Sequence, residues 1–285
     1  MTPRQRVAAA MAHQPVDRVP VMCQMAIGHI CLNTGSSPVE LWHDTATYVD
    51  ALFALHQRYE FDGILVSVPG SPPDWRDWVA DQETTPEGVL ISWQAPLENH
   101  SPYPLGTRTL YRRDDLPEPL SGHSPAALDQ IDLEAIDVLA RVPEWMLAPV
   151  REVLRRSGGE LSVHGETFSP FDKLVELLGI EAAMLGLMDD PGRCHAVLER
   201  GLEYAANWGA AQVRCGIDAI KISSPYVGGG LLSRRFYGEF VVPYERRLVE
   251  RLHAAGPVRV YTHTCGAIGD RLEDMVSTGI DGLEC

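Results

Sequence analysis

Apolar positions along the chain switch between helical spacing and short continuous runs, and that switching predicts an alternating order of strands and helices. An Arg-flanked, Ala-rich opening predicts a helix, and the Pro-bounded apolar run from Val19 to Met25 predicts a first strand. Ser37-Pro38-Val39-Glu40 has the order of a capping box. Leu41, Tyr48, Leu52, Leu55 and Tyr59 continue at helical spacing, so one helix of about five turns is predicted from Ser37 to Tyr59. Phe61-Asp62-Gly63 leads into Ile64-Leu65-Val66-Ser67-Val68, a continuous apolar run closed by Pro69-Gly70 that reads as a second strand buried on both faces.

Residues 70–125 break the rhythm. They hold nine of the 21 prolines, and Val89-Leu90-Ile91-Ser92-Trp93 after Pro86-Glu87-Gly88 predicts a hairpin. The segment reads as an insertion over the mouth of a barrel or sheet, where long loops carry binding or lid roles. The alternation then resumes, with helices around 126–139 and 143–156, a third strand from Glu160 to Glu166, and helices over 172–187 and 191–214. Ala219 to Ser224 is the fourth strand. Ser233 caps a helix carrying Phe236, Phe240, Tyr244, Leu248 and Leu252, and Pro257 to Cys265 is the fifth strand. Ile268, Leu272, Met275 and Val276 form an apolar helical face ending at Gly279, and Ile280 to Cys285 starts a sixth strand. Six strands alternating with helices imply a parallel sheet and an α/β fold. The expected architecture is one (β/α)8 TIM-barrel-like domain over 1–285 that lacks its last two βα units, with 70–125 as a Pro-rich insertion over the barrel mouth. Two open strand edges would make a homodimer the default.

Composition narrows the partners. Asp and Glu outnumber Lys and Arg by 39 to 24, a formal charge of −15, so nucleic-acid backbones and anionic membranes are repelled on average. No apolar run reaches the roughly 18 residues of a membrane span, and no signal-peptide core opens the chain, so a cytoplasmic location is expected. Six cysteines without close pairs read as thiols rather than a disulfide framework.

The chemistry concentrates in Val260-Tyr261-Thr262-His263-Thr264-Cys265-Gly266. Residues two apart in a strand share a face, so Tyr261, His263 and Cys265 project to one side where the strand runs out. In a barrel the C-terminal strand ends form the active site, and imidazole with thiolate makes two of the three protein ligands of a catalytic zinc. With ten His and six Cys, a His-x-Cys pair arises by chance about 0.2 times in such a chain, so its position carries more weight than its spacing. Cys285, at the end of the next strand, is the candidate third ligand. Glu166, at the end of strand three, is a competing oxygen ligand, a general base, or merely a helix cap. Ser224, the last residue of strand four, and Tyr226 just after it are candidate substrate contacts. Gly228-Gly229-Gly230 matches no phosphate-binding fingerprint and reads as a flexible loop. Cys194 and Cys215 read as small packed residues, and His43, His164 and His195 as packed or surface histidines.

Pro15-Val16-Asp17-Arg18-Val19-Pro20-Val21, Phe61-Asp62-Gly63, Gly216-Ile217-Asp218-Ala219-Ile220, Leu232-Ser233 with Phe240 and Pro243-Tyr244, and His263-Thr264-Cys265-Gly266 through Thr278-Gly279-Ile280-Asp281-Gly282 together resemble the uroporphyrinogen decarboxylase superfamily. The resemblance implies a (β/α)8 barrel that is either a decarboxylase or a zinc- and cobalamin-linked methyltransferase. Decarboxylases carry arginines after strand one; Met22 to His29 here has Cys23 and His29 where those arginines belong, with Gln24 and His29 as candidate substrate contacts, and Val68-Pro69-Gly70 stands where an aspartate is expected. The methyltransferase branch is similar in its His-x-Cys-Gly, which implies zinc on His263 and Cys265, with Cys285 substituting for a later family cysteine. The implied function is transfer of a methyl group between a small methylated substrate or thiol and a cobalamin-carrying partner protein. The alternatives are a metal-free lyase using Glu166, Tyr261 and His263, or a non-catalytic incomplete barrel.

Overall fold

A computed structural model describes residues 1–94, 107–121 and 127–284. The chain divides into two compact units, Met1–Ser124 with Pro143–Val163, and Pro125–Val142 with His164–Cys285. No described helix is long and apolar enough to cross a membrane.

The first unit opens with α1 (Pro3–Met11), whose start is fixed by a complete capping box between Thr2 and Gln5. α2 (Ile27–Thr34), α3 (Pro38–His43) and α4 (Thr45–Tyr59) follow, then β1 (Gly63–Leu65). The single helix expected from Ser37 is two helices. Asp44 adopts an extended conformation between them and caps α4 by accepting the Thr47 N–H at 2.8 Å. The strand expected over Val19–Met25 is absent. Val21 meets the rest of the unit through Asp62, whose backbone N–H donates to the Val21 carbonyl and whose carboxylate accepts the Val21 N–H. With Pro20 lacking a donor and Val19 79% exposed, the segment makes no ladder.

Asp62 explains two of the sequence motifs at once. Its fully buried carboxylate takes both Arg18 Nη atoms at 2.8 Å and Arg6 Nη1 at 2.5 Å. Burial pushes the carboxyl up, but the Val21 N–H and the two guanidiniums outweigh it and hold it below the usual carboxylate range.

The Pro-rich region forms an antiparallel sheet of β2 (Val79–Thr85), β3 (Gly88–Trp93), β4 (Arg108–Tyr111) and β5 (Glu118–Ser121), in that order. The predicted hairpin is the β2–β3 pair, closed between Thr85 and Gly88. His43 ties α3 to this sheet. Its buried ring bonds Tyr111 Oη at 2.6 Å and Ser71 Oγ at 2.9 Å, and lies against Trp75 and Trp93. α5 (Ala148–Ser157) completes the helices of this unit, and β6 (Ser162–Phe168) begins there, Ser162 N–H donating to Asp62 O.

The second unit is the α/β part. α6 (Pro170–Leu178), α7 (Ile180–Asp189) and α8 (Pro191–Arg214) lead to β7 (Ala219–Ser223); α9 (Arg234–Phe240) and α10 (Val242–Ala255) lead to β8 (Arg259–His263); α11 (Leu272–Val276) leads to β9 (Gly282–Glu284). β6, β7, β8 and β9 pair in parallel in that order. Two predicted helices are broken, the one over 172–187 at Gly179 and the one after Ser233 at Val241. The helix expected around 126–139 is only a 3-10 turn at Leu128–Gln130. Asp132 and Asp137 accept the N–H groups of Glu134 and Leu139 in local turns, and Arg193, Arg200 and Asn207 of α8 take the freed carbonyls of Leu128, Ile131, Ile136 and Val138. The apolar face expected over 268–276 is partly solvated: Met275 is buried, whereas Leu272 and Val276 are exposed.

Candidate active site at the strand ends of the parallel sheet

The ladder register sorts the side chains into two faces. His164, Glu166 and Phe168 of β6 align with Ala219, Lys221 and Ser223 of β7 and with Arg259, Tyr261 and His263 of β8; Gly282 and Glu284 of β9 align with Tyr261 and His263. The opposite face carries Gly165, Thr167, Ile220, Ile222, Val260 and Thr262. That second face holds α8: Thr167 Oγ1 donates to Ala205 O, and the Gln212 amide bonds both the N–H and the carbonyl of Glu166. A Cβ at Gly165 would collide with Gln212 Oε1, so a larger residue there would have to displace the amide that bonds Glu166.

The polar face has a buried floor. Lys221 is fully buried, with Nζ 2.9 Å from Glu166 Oε1, and Ser223 Oγ donates to the same oxygen at 2.5 Å. Beside them the His164 ring, Nδ1 3.1 Å from Tyr261 Oη, is drawn down to a pKa of about 4 by burial, with Asp218 offsetting part of the shift. Burial, reinforced by the charges of Glu284 and Glu166, pushes the Tyr261 hydroxyl well up. At neutral pH, His164 and Tyr261 are therefore both uncharged.

The rim lies at the end of β8. Cys265 Sγ is 3.3 Å from His263 Nε2, Cys265 is exposed, and His263 Nδ1 is buried with no hydrogen-bond partner among the described residues. Gly266 follows at φ +83°, a left-handed turn that aims the chain away from the strand directly after the thiol. Zinc–sulfur and zinc–nitrogen bonds of standard length at a tetrahedral ion would set the two donors roughly 3.6 Å apart, so this pair fits two ligands of one metal. Among the described residues no group of three His, Cys, Asp or Glu side chains completes such a site. Cys285, the expected third ligand, lies outside the described residues.

The other sequence candidates separate. Tyr226 is half-buried, and burial, followed by the charges of Asp172 and Cys265, raises its hydroxyl. Ser224 is fully buried and turns to α10, donating to Glu245 Oε1 at 2.6 Å. Gln24 is exposed in the first unit before α2, and His29 on α2 bonds Tyr59 Oη at 3.1 Å. Sequence reasoning missed Lys221, although a lone lysine inside the apolar run Ala219-Ile220-Lys221-Ile222 was the visible signal. It also missed the buried carboxyls of Asp172 and Glu245, both pushed up by burial, which no local pattern marked.

A parallel sheet backed by helices, with its polar face ending in a His/Cys pair at the C-terminal strand ends, defines an α/β protein whose candidate chemistry sits where such sheets carry it. The chain belongs to the uroporphyrinogen decarboxylase family: residues 105–285 match the profile described as Uroporphyrinogen decarboxylase (URO-D). It is 25% identical over 180 residues to the Methylated-thiol--coenzyme M methyltransferase of Methanosarcina mazei, spanning 62% of this chain and 47% of that protein. It is 23% identical over 288 residues to the Methylcobamide:CoM methyltransferase MtbA of Methanosarcina acetivorans, spanning 99% of this chain and 75% of the relative. A Uroporphyrinogen decarboxylase of Pseudomonas aeruginosa is 27% identical over 163 residues, 53% of this chain and 45% of that protein. A solved methyltransferase from Methanosarcina mazei shares the fold, with a TM-score of 0.72 at 18% identity over 99% of this chain and 75% of the other.

Proposed function

We propose that this chain is a corrinoid-dependent methyltransferase of (β/α)8 type, moving a methyl group between a small methylated substrate or thiol and a cobalamin-carrying partner protein. His263, Cys265 and Cys285 are its zinc ligands. The observation that carries the reading is the 3.3 Å approach of Cys265 Sγ to His263 Nε2 at the open end of β8. Relatives named as methyltransferases along almost the whole chain support the same class of reaction.

Zinc, when bound, supplies Lewis acidity that makes a thiol more nucleophilic or a methoxy oxygen a better leaving group. The chain's own residues do the rest. Cys265 and His263 present soft sulfur and imidazole donors at the rim, and Tyr226, its hydroxyl kept protonated by burial, is the candidate hydrogen-bond donor to a substrate heteroatom. Below them, the neutral Tyr261–His164 pair and the Glu166–Lys221 ion pair make a floor in which each charge is matched. The metal-free lyase reading is weaker here, because the carboxylate it needs as a free base is already engaged by Lys221 and Ser223.

The test is zinc per chain by elemental mass spectrometry on protein purified under reducing conditions, paired with methyl transfer from methylcobalamin to a small thiol. About one zinc that falls away in Cys265→Ser, with transfer lost in parallel, is the expected result. Negligible zinc in a folded wild type refutes the zinc mechanism.

A further inference from the structure

The glycine-rich loop after β7, read from sequence as a flexible connection, is clamped on both sides. Arg271 is 1% exposed and reaches across from the loop before α11. Its Nη1 donates to Val227 O at 2.6 Å, its Nη2 donates to Leu232 O at 2.9 Å, and its guanidinium lies over the Tyr237 ring. These two carbonyls bracket Gly228-Gly229-Gly230. On its other side the loop meets the backbone that follows His263. Gly229 N–H donates to Ala267 O at 2.7 Å, and a Cβ at Gly228 would stand 2.1 Å from Cys265 O. Ser224 N–H donates to His263 O, so both ends of the segment from His263 to Ala267 are tied to the chain that follows β7.

A guanidinium buried this completely keeps its five donors only where the geometry is fixed, and a carbonyl facing a glycine at van der Waals distance has no room to move toward it. The exposed thiol of Cys265 therefore has a rigid backbone beneath it, unlike an ordinary surface cysteine. We infer that Arg271, acting through the Val227–Leu232 loop, is a positioning residue that holds the Cys265 backbone and so keeps the thiol against His263. The inference rests on the His263–Cys265 pair being the working site, but it concerns geometry that is present without metal.

The experiment compares Gly228→Ala, Gly230→Ala and Arg271→Lys with wild type. The two alanines are the same chemical change two residues apart: one meets Cys265 O, and the other meets nothing within 4 Å. Arg271→Lys keeps the charge but cannot serve both carbonyls in fork geometry. The first readout is the alkylation rate of Cys265 in metal-free protein, followed by peptide mass spectrometry with exposed Cys23 as the internal standard. The second is titration with cobalt(II) alone, read at the thiolate-to-cobalt absorption band. Gly228→Ala and Arg271→Lys should change the Cys265/Cys23 rate ratio several-fold and weaken cobalt binding about ten-fold or more, while Gly230→Ala matches wild type in both. A wild-type rate ratio and wild-type cobalt affinity in folded Gly228→Ala overturn the inference. If wild type itself shows no thiolate band, the zinc reading fails and the alkylation ratio alone decides: a change confined to Gly228→Ala and Arg271→Lys upholds the positioning role, and an unchanged ratio overturns it.

Discussion

Replacing Lys221 by methionine isolates the buried ion pair at the floor of the sheet. Nζ and Glu166 Oε1 are 2.9 Å apart, with Lys221 fully buried and Glu166 5% exposed. At that separation the attraction is roughly 6 kcal/mol for an effective dielectric of about 20. Methionine fills nearly the same volume, so the loss is electrostatic rather than a cavity. It leaves Glu166 with a hydrogen bond from Ser223 but without a counter-charge, a situation that costs about 3–5 kcal/mol in buried pairs. Because the Ser223 bond persists, the lower end of that range is expected, and a slope of about 3 kcal/mol per molar then moves the urea midpoint down by about 1 M. Combining Lys221→Met with Glu166→Gln removes both charges and should recover most of the loss. Urea unfolding followed by circular dichroism at pH 7.5 measures both. A Lys221→Met variant within about 1 kcal/mol of wild type, or a double variant no more stable than the single one, refutes the account of this pair. Methyl transfer by a restored double variant reports separately on whether the Glu166 carboxylate takes part in the chemistry.

Two further predictions concern pH. Burial, with help from Arg76, draws His43 down to about 3 from an ordinary 6.5, so as pH falls the unfolded chain takes up this proton first. The stability it contributes is complete above about pH 6.5 and is lost as pH falls toward 3, at roughly 1.4 kcal/mol per unit, or about 2 kcal/mol by pH 5. Urea unfolding at pH 7.5 and pH 5 should show His43→Gln losing less than wild type by that amount, and equal losses would count against the reasoning. Asp172 behaves with the opposite sign. Burial, followed by the charge of Glu245, pushes its carboxyl well up, and the local backbone at Ser169 and Asp172 offsets only part of that shift. Its ionisation opposes folding at high pH, so Asp172→Asn should be more stable than wild type at pH 8, with the gain gone below about pH 4, where the carboxyl is protonated in the unfolded chain as well as the native one. A gain independent of pH would show that the effect is not electrostatic.

Elements whose determinants lie within a few residues were legible in the sequence. The strand at Ala219 carries its own apolar run, the hairpin at Gly88 its own turn, and Ser37 and Ser233 cap helices that begin one residue later. Where a distant partner decides, local reading failed. Val19 to Met25 has the composition of a strand, but its tether is the Asp62 side chain, and the stretch from 126 to 139 lost its helix to Asp132, Asp137 and the donors of α8. The same division runs through the site. His263 and Cys265 lie two apart on one strand, and the two-residue period alone puts them on one face. Lys221 meets Glu166 from a neighbouring strand, and Arg271 reaches the glycine loop from beyond β8, so neither role could be read from spacing.

The polar face thus grades from matched charge to open donors along the strand direction. At the level of Glu166 and Lys221, two opposite charges are paired with each other and buried. Two residues further on, at Ser223 and His263, the face reaches the rim, and Cys265 beyond it is exposed. A buried ion pair adds little net stability over apolar residues of equal size, so its retention here calls for another reason. The geometry supplies one. Glu166 and Ser223 bind each other across β6 and β7 directly beneath the rim, and Ser224, the next residue, donates its N–H to the carbonyl of His263. The floor therefore fixes the register of the strand ends from which His263 and Cys265 project, while the Arg271 clamp fixes the backbone after them. A thiol–imidazole pair at an open rim cannot be packed into place from above, so its order has to come from below and behind, from the Glu166–Ser223 contact and the Arg271 clamp.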